Sequence, residues 1–245
     1  MWEFCLYFEK EQLEYILNLR KHLKRFFKKY RGAVVLYEED CKMLIGLEGS
    51  EKIFVEVYRY IYNYIISTIY TYYKRKILNE LAYHDFNNEI FELIIKETLF
   101  CFDEEYDKNL IAKNLVLNES LNIEGFFNFK LKDLKEKWMQ LTLIIKNNCQ
   151  LLNNYIVNLD FTRYLLSELD NKIDKVCLFT DGKKYFLKTT TNENLKFKKI
   201  NFSKKQNFKE IIKSLIVLSP KNIILCSEMK SKDFKLFKDI FIDKL

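Results

Sequence analysis

The chain has 245 residues and a formal net charge of +7 at pH 7, with 49% hydrophobic residues, 5 glycines and 1 proline. This composition excludes disordered and low-complexity chains, which have few apolar residues and cannot bury enough surface to fold. A chain of this length buries about three quarters of its unfolded surface, as one large or two modest domains.

Residues 1–50 have the pattern of a β-α-β-β element. Apolar side chains at every second position from Trp2 to Phe8 predict a half-buried strand. A helix is expected from Glu11 to before Gly32, because apolar residues recur there at three- and four-residue steps. The apolar runs 33–37 and 43–47 then predict a hairpin.

Residues 51–170 predict a helical block, because no glycine or proline lies between Gly49 and Gly125. Helices are expected from 51 to about 79, from 87 or 88 to 101, and after 103. Segment 53–73 has the length of a membrane span but contains Glu56 and Arg59, and each charge at the centre of a span costs about 2.5–3.5 kcal/mol. Its apolar spacing favours a core helix, with attachment to a membrane surface as the alternative.

An apolar stripe with helical spacing follows residue 130. Paired asparagines at 147–148 and 153–154 predict that this region forms two helices rather than one rod. The expected inward positions are Leu131, Leu134, Trp138, Leu141, Ile145, Leu152, Tyr155 or Ile156, and Leu159.

Residues 171–245 predict a basic α/β module. Asp181-Gly182 lies between two apolar runs, which is a strong hairpin signal because this pair tolerates positive φ angles. A helix before Pro220, a strand at 223–226 and a last amphipathic helix are expected to follow. The predicted fold is therefore α+β, with a mainly helical centre, a small N-terminal sheet and a C-terminal β-hairpin/α module.

The positive charge is concentrated in the last segment, where residues 171–245 hold 18 Lys against 8 Asp and Glu. This asymmetry indicates an anionic partner such as nucleic acid, although the richness in Lys, Asn, Ile and Phe is also what AT-rich codons produce. The candidate anion-binding residues are Lys183, Lys184, Lys196, Lys198, Lys199, Lys204 and Lys205.

Motifs for catalysis, metals and cofactors are not found in the sequence. The 2 histidines and 6 cysteines lack ligand spacing, and no glycine-rich phosphate loop or serine-hydrolase motif occurs. Asp181 with Glu228 and Lys230 weakly matches the carboxylates and lysine of metal-dependent nucleases, but a turn explains Asp181 better. No secretory signal begins the chain, so a cytosolic protein with reduced thiols, no cofactor and no enzymatic activity is expected.

One segment carries a family resemblance. Tyr155, Arg163 and Tyr164 follow an opening motif at the expected spacing without a gap. The positions that match the opening motif are Glu124, Gly125, Phe126, Phe129, Leu131, Lys132 and Asp133. Together with a C-terminal Ser-Pro-Lys at 219–221, this pattern resembles the YtxC-like family of sporulation proteins from endospore-forming bacteria. The signature residues are Glu124, Gly125, Phe126, Phe129, Lys130, Leu131, Tyr155, Arg163, Tyr164 and Pro220.

The resemblance implies a process and not a reaction, namely a sporulation protein that acts through protein contacts. The alternative is nucleic-acid binding by the lysine-rich module. Lys130 stands where the family has arginine, which puts a bidentate anion contact there in doubt. The signature is either structural or a binding site: Gly125 supplies a positive φ or close packing, and Glu124 caps a helix or pairs with Arg163 or Lys130.

Overall fold

The computed structural model describes residues 2–80, 89–180, 185–190, 198–199, 207–226 and 232–244. They form an α+β fold with two compact units. Unit 1 comprises Met1–Ile77 and Glu104–Gln140, and unit 2 comprises Leu78–Asp103 and Leu141–Leu245. The units are interleaved along the chain, whereas the sequence predicts three consecutive segments, 1–50, 51–170 and 171–245. The chain enters unit 2, returns to unit 1 and enters unit 2 again, and composition carries no signal for such a return.

Unit 1 contains a four-stranded sheet in the order β2-β3-β1-β4. Strand β1 (Trp2–Tyr7) and strand β2 (Arg31–Tyr37) each pair antiparallel with β3 (Lys42–Glu48), and helix α1 (Leu13–Phe26) connects β1 to β2. These elements confirm the predicted β-α-β-β pattern. Strand β4 (Ser120–Asn122) pairs parallel with β1. The sequence did not predict this strand, because three residues are too few to show alternation.

One face of this sheet belongs to the core of unit 1. Phe4 and Leu6 of β1 lie on the same face as Met43, Ile45 and Leu47 of β3, and all five side chains are buried. Helix α1 contacts β2. The buried residues of α1 are Ile16, Leu19 and Leu23.

Helix α2 (Glu51–Leu78) is a core helix, as its apolar spacing predicts. Its buried residues include Val57, Ile61, Ile65 and Ile69, and burying each such side chain contributes about 1.5–3 kcal/mol. The Tyr64 hydroxyl donates a hydrogen bond of 2.7 Å to the Tyr15 carbonyl and so ties α2 to α1. Among the described residues, no helix combines the length and the hydropathy that crossing a membrane requires.

The four helices predicted for the middle region are present as α3 (Glu89–Cys101), α4 (Glu104–Asn114), α6 (Lys132–Asn147) and α8 (Tyr155–Ser167), and the expected start of the first at 87 or 88 lies outside the described residues. The sequence did not predict two short helices, α5 (Ile123–Lys130) and α7 (Cys149–Leu152). The break expected between two helices is confirmed, because Asn154 caps α8 by accepting hydrogen bonds from the amides of Ile156 and Val157. Of the predicted inward positions, Trp138, Ile145 and Leu159 are buried and Leu141 is half-buried, whereas Tyr155 and Ile156 are exposed.

Unit 2 contains the second sheet, in the order β7-β6-β5-β8. Strands β5 (Ile173–Thr180) and β6 (Tyr185–Thr190) pair antiparallel, which confirms the predicted hairpin, although its Asp181-Gly182 turn lies outside the described residues. Strand β8 (Pro220–Leu225) pairs parallel with β5. The remaining elements are β7 (Lys198–Lys199), α9 (Phe208–Leu218) and α10 (Lys232–Ile240).

The main core of unit 2 lies among α3, α8, α9, α10 and this sheet. Its buried residues include Phe91, Ile94, Leu166, Val176, Leu178, Ile211, Leu215, Ile223 and Phe237. Helix α9 ends at Ser219, whose left-handed conformation (φ 38°) turns the chain directly into β8. The helix predicted before Pro220 and the strand predicted after it are therefore both present.

A buried ion pair lies at the centre of unit 1. Lys74 Nζ of α2 is 2.8 Å from Asp107 Oδ2 of α4, and the two side chains are 1% and 0% exposed. Asp107 accepts two further hydrogen bonds, from Trp138 Nε1 at 2.8 Å and from Lys137 Nζ at 2.9 Å. Both carboxylate oxygens are thereby satisfied, and α2, α4 and α6 are joined through one side chain.

Replacing Asp107 with alanine is expected to lower the free energy of unfolding by about 3–5 kcal/mol, because Lys74 would keep a buried charge without its counterion. Guanidinium unfolding measures this loss. The control is Glu56→Ala, which removes an exposed carboxylate of α2 and is expected to change stability by less than about 0.5 kcal/mol. Equal small effects of the two substitutions would contradict a structural role for the pair.

Candidate contact surface

The signature helix α5 begins with a side-chain cap. Asn122 is extended, and its Oδ1 accepts a hydrogen bond of 2.8 Å from the Gly125 amide. An asparagine immediately before a helix satisfies one of the first amides in this way. Asn122 therefore caps the helix, and the expectation that Glu124 does so is wrong; Glu124 is an exposed residue of the first turn.

Gly125 occupies an ordinary position in the first turn of α5 and has no positive φ, so the prediction of a left-handed backbone is wrong. A Cβ added there would lie 3.4 Å from Asn122 Oδ1 and 3.5 Å from its Cγ. These are normal contact distances, and the neighbour is only the helix's own cap. Gly125 is therefore not needed for close packing against another element.

The inner side of α5 is held by aromatic stacking. Phe126 and Phe127 are buried, and the Phe127 ring stacks on Tyr73 of α2 with ring centroids 3.8 Å apart. Phe127 also lies 6.0 Å from the Trp138 ring, again nearly parallel. Stacked aromatic pairs contribute about 0.5–1.5 kcal/mol beyond their buried area. Helix α5 is thus fixed to the same residues that surround the buried ion pair.

Helix α5 does not continue directly into helix α6. Leu131 leaves the helical conformation (φ −115°, ψ 29°) and separates α5 from α6, while its side chain is buried. This break turns the chain between two helices that both pack on α2 residues, since Tyr70 of α2 also contacts Trp138 of α6 edge-on. Leu131 is a structural residue of the signature.

The outer side of α5 exposes the other half of the motif. Phe129 is 85% exposed, and Gly125 lies one helical turn before it on the same face. Glu124 and Lys130 are also exposed. We name these four residues the signature surface. It combines one large aromatic ring, a glycine and two opposite charges, and aromatic residues are enriched in protein interfaces.

The signature residues of unit 2 also include both residues with contacts inside the unit and an exposed residue. Arg163 Nε donates to the Asp239 carbonyl at 2.7 Å, and its Nη1 lies 3.6 Å from Asp160 Oδ1. These described partners are not Glu124, with which the sequence suggested a pair. The Tyr155 hydroxyl donates to Asp239 Oδ2 at 3.3 Å. Partial burial of this otherwise exposed side chain, together with the nearby Asp239 carboxylate, raises the pKa of Tyr155. Tyr164 is exposed and Pro220 is buried. Arg163 and Tyr155 therefore connect α8 to α10.

Most of the predicted anion-binding lysines lie outside the described residues, namely Lys183, Lys184, Lys196, Lys204 and Lys205. Lys198 and Lys199 form strand β7. Two other lysines of the basic segment pair with the acidic helix α3: Lys209 contacts Glu89, and Lys213 Nζ lies 3.4 Å from Glu97 Oε1. The hydrogen bond from Lys209 and its charge lower the pKa of Glu89. Part of the basic excess is thus neutralised within unit 2.

The remaining chemical candidates form no second site among the described residues. Within the described ranges, no three His, Cys, Asp or Glu side chains are placed to hold a metal ion. His22 is exposed, and Asp181, Glu228, Lys230 and His84 lie outside those ranges.

Sequence reasoning missed Asn122 as the cap, as well as Lys74 and Asp107. A weak signal existed, because Asp107 stands one helical turn before the buried Ile111 and thus on an inward face.

Gly125→Ala is expected to preserve the fold and to raise the free energy of unfolding by about 0.5–1 kcal/mol, because alanine has the higher helix propensity and its Cβ has room. Asn122→Ala removes the cap and is expected to lower it by about 1 kcal/mol. Denaturant unfolding of both variants measures these opposite effects. If Gly125→Ala instead costs more than about 1 kcal/mol, the folded chain requires glycine there for a reason other than helix geometry.

Comparisons with known proteins leave the family open. No family model matches the chain, and no match was found among curated proteins or solved structures. The likeness to the YtxC-like family therefore remains a hypothesis based on the residues of the signature.

Proposed function

We propose that this protein is a non-enzymatic cytosolic protein that acts in sporulation through protein–protein contacts, with the signature surface as one contact site. The observation that carries the proposal is the position of Phe129. Its neighbours Phe126 and Phe127 are buried in unit 1, whereas Phe129 is 85% exposed. Folding of the chain does not require an aromatic residue at this position, so binding is the better reason for it.

The energetics of association favour this interpretation. Burying an exposed phenylalanine side chain against a partner contributes about 1.5–3 kcal/mol. Aromatic residues are enriched at the centres of protein interfaces, where polar and charged residues form the rim. Phe129 is such an aromatic residue, and Glu124 and Lys130 are exposed charges of the same short helix. The exposed Tyr164 of unit 2 is a second aromatic residue of the signature that the core does not use.

The cellular context rests on two supports. The resemblance of the signature residues is the only basis for a role in sporulation, and the cysteines favour the cytosol. Cys101 and Cys149 are buried thiols, as is usual for proteins of reducing compartments.

The test is a matched pair of substitutions on α5. Phe129→Ala is expected to change the free energy of unfolding by less than about 0.5 kcal/mol, because an exposed side chain is removed, and yet to reduce spore formation. Phe126→Ala is expected to cost about 3–5 kcal/mol, because it empties a core position. Unfolding curves and spore counts of complemented null strains measure both effects.

The control for the contact is Tyr106→Ala, which removes another exposed aromatic ring of unit 1. Crosslinking and mass spectrometry in sporulating cells should identify a partner that the wild type and Tyr106→Ala retain and Phe129→Ala loses. Normal spore counts and an unchanged set of crosslinked proteins for Phe129→Ala would contradict the proposal.

Nucleic-acid binding by residues 171–245 is the second candidate, favoured by the 18 lysines of that segment. Its test is the combined substitution of Lys198, Lys199, Lys204 and Lys205 by alanine, titrated with duplex DNA at several salt concentrations. We expect neither protein to bind DNA appreciably. Wild-type affinity that falls with salt, with a logarithmic slope of roughly 0.9 per phosphate contacted, and that the variant loses would favour this candidate instead.

A further inference from the structure

Strand β2 forms an unprotected edge of the sheet in unit 1. The described residues form four edge strands, and three of them carry features that prevent edge pairing. Strands β4 and β7 have three and two residues, and β8 begins with Pro220 and Lys221. Short strands, prolines and lysines are the usual protections of an edge. Strand β2 has seven residues with the sequence RGAVVLY and none of these features over its last six positions.

This edge offers backbone groups to another strand. Strand β2 pairs with β3 along its whole length, from Arg31↔Glu48 to Tyr37↔Lys42, and no strand of the described residues pairs with its other side. In an antiparallel pair, the amide and carbonyl groups of alternate residues point away from the partner strand. The outward groups of β2 are therefore free to form a second ladder.

The charges around β2 specify the direction of pairing. Lys28, Lys29 and Arg31 lie at its beginning, and Glu38, Glu39 and Asp40 follow its end. A second copy of β2 running antiparallel would place each basic end beside an acidic end. A parallel copy would place like charges together, which is destabilising. The strand is therefore complementary to itself in one direction only.

We propose that two copies of this chain associate through antiparallel pairing of their β2 strands, in a register centred on Val35. In this register Val35 faces Val35 of the second copy, Ala33 faces Tyr37, and Arg31 faces Glu39. Side chains alternate between the two faces of a strand, so residues that face each other across the pair must be both odd-numbered or both even-numbered to lie on the same face. The register centred on Val35 meets this condition, with a two-fold axis perpendicular to the sheet. The neighbouring register centred on Val34 satisfies this condition too, but it faces Arg31 with Tyr37 and loses the charge pair.

The uncovered face of the sheet supplies the side-chain complement. Ala33, Val35, Leu44 and Gly46 line a shallow cleft of about 870 Å³ on this face, and a Cβ added at Gly46 would meet no atom within 4 Å. Tyr37 belongs to the same face and is 45% exposed. The proposed register brings Tyr37 of each copy next to Ala33 of the other, where its ring lies over the cleft. This interface uses β2 and not the signature surface, so it is independent of the proposed function.

The test is the mass of the protein in solution, measured by sedimentation velocity over a range of concentrations. The wild type is expected to shift from 29.8 kDa towards twice that mass as concentration rises. Val35→Lys should weaken dimerisation at least tenfold, because it places two like charges opposite each other at the axis. Val55→Lys introduces the same side chain at an equally exposed position of α2 (43% against 45%) and should dimerise like the wild type.

Charge reversal tests the register. Arg31→Glu and Glu39→Arg are each expected to weaken dimerisation roughly threefold to tenfold, as expected for two symmetric copies of an exposed ion pair, and the double variant should recover most of the loss. Circular dichroism and thermal melts of each variant check that the monomer is folded. A wild type that stays at 29.8 kDa at all concentrations overturns the proposal. A dimer whose affinity Val35→Lys leaves unchanged also overturns it. The same holds if the double variant loses as much dimerisation affinity as the two single variants lose together.

Discussion

The buried ion pair between Lys74 and Asp107 is the interaction on which unit 1 depends. Transfer of two charges out of water costs several kcal/mol per ion, so the pair is tolerated only where its geometry and additional hydrogen bonds compensate. Here the carboxylate receives three donors, from Lys74, Lys137 and Trp138, and the ammonium also lies 5.0 Å from the centre of the Tyr70 ring. Because the donors come from two helices and the acceptor from a third, α2, α4 and α6 can satisfy these groups only in one relative arrangement.

This constraint positions the signature helix. Trp138, which donates to Asp107, also lies parallel to Phe127, and Phe127 stacks on Tyr73, the residue before Lys74. The aromatic side of α5 is therefore packed against the same part of α2 and α6 that holds the ion pair. Since α5 is a regular helix over Ile123–Lys130, fixing the direction of Phe127 also fixes that of Phe129, two residues later on the other side. The exposure of Phe129 is thus a consequence of how the core is built.

The sequence predicted elements wherever one periodicity persists for several residues. Alternation in β1 and the three- and four-residue spacing in α2 gave correct elements, and the asparagine pairs after Ile145 correctly predicted a break. Strand β4 has only three residues, which no period can reveal, and the interleaving of the two units depends on tertiary contacts. In the signature, Glu124 and Gly125 were the conspicuous residues, but the cap is Asn122, because the first turn of a helix is satisfied by the residue that precedes it. Asp107 was overlooked because the sequence of its acidic helix suggests a carboxylate in contact with water. Its partners Lys74 and Trp138 are 33 and 31 positions away in the chain, so no local pattern reveals them.

Some apolar surfaces of unit 1 are explained by folding, and others are not. A sheet with one apolar face needs only that face covered, and Phe4, Leu6, Met43, Ile45 and Leu47 meet this need on the inner side. The apolar residues Ala33, Val35 and Tyr37 on the outer side, like Phe129 on α5, add nothing to the core and expose surface that polar residues would hydrate at lower cost. Glutamate or lysine at these positions would also protect the β2 edge. Their absence from a strand with complementary charged ends is best explained by an association in which that edge and that face are buried.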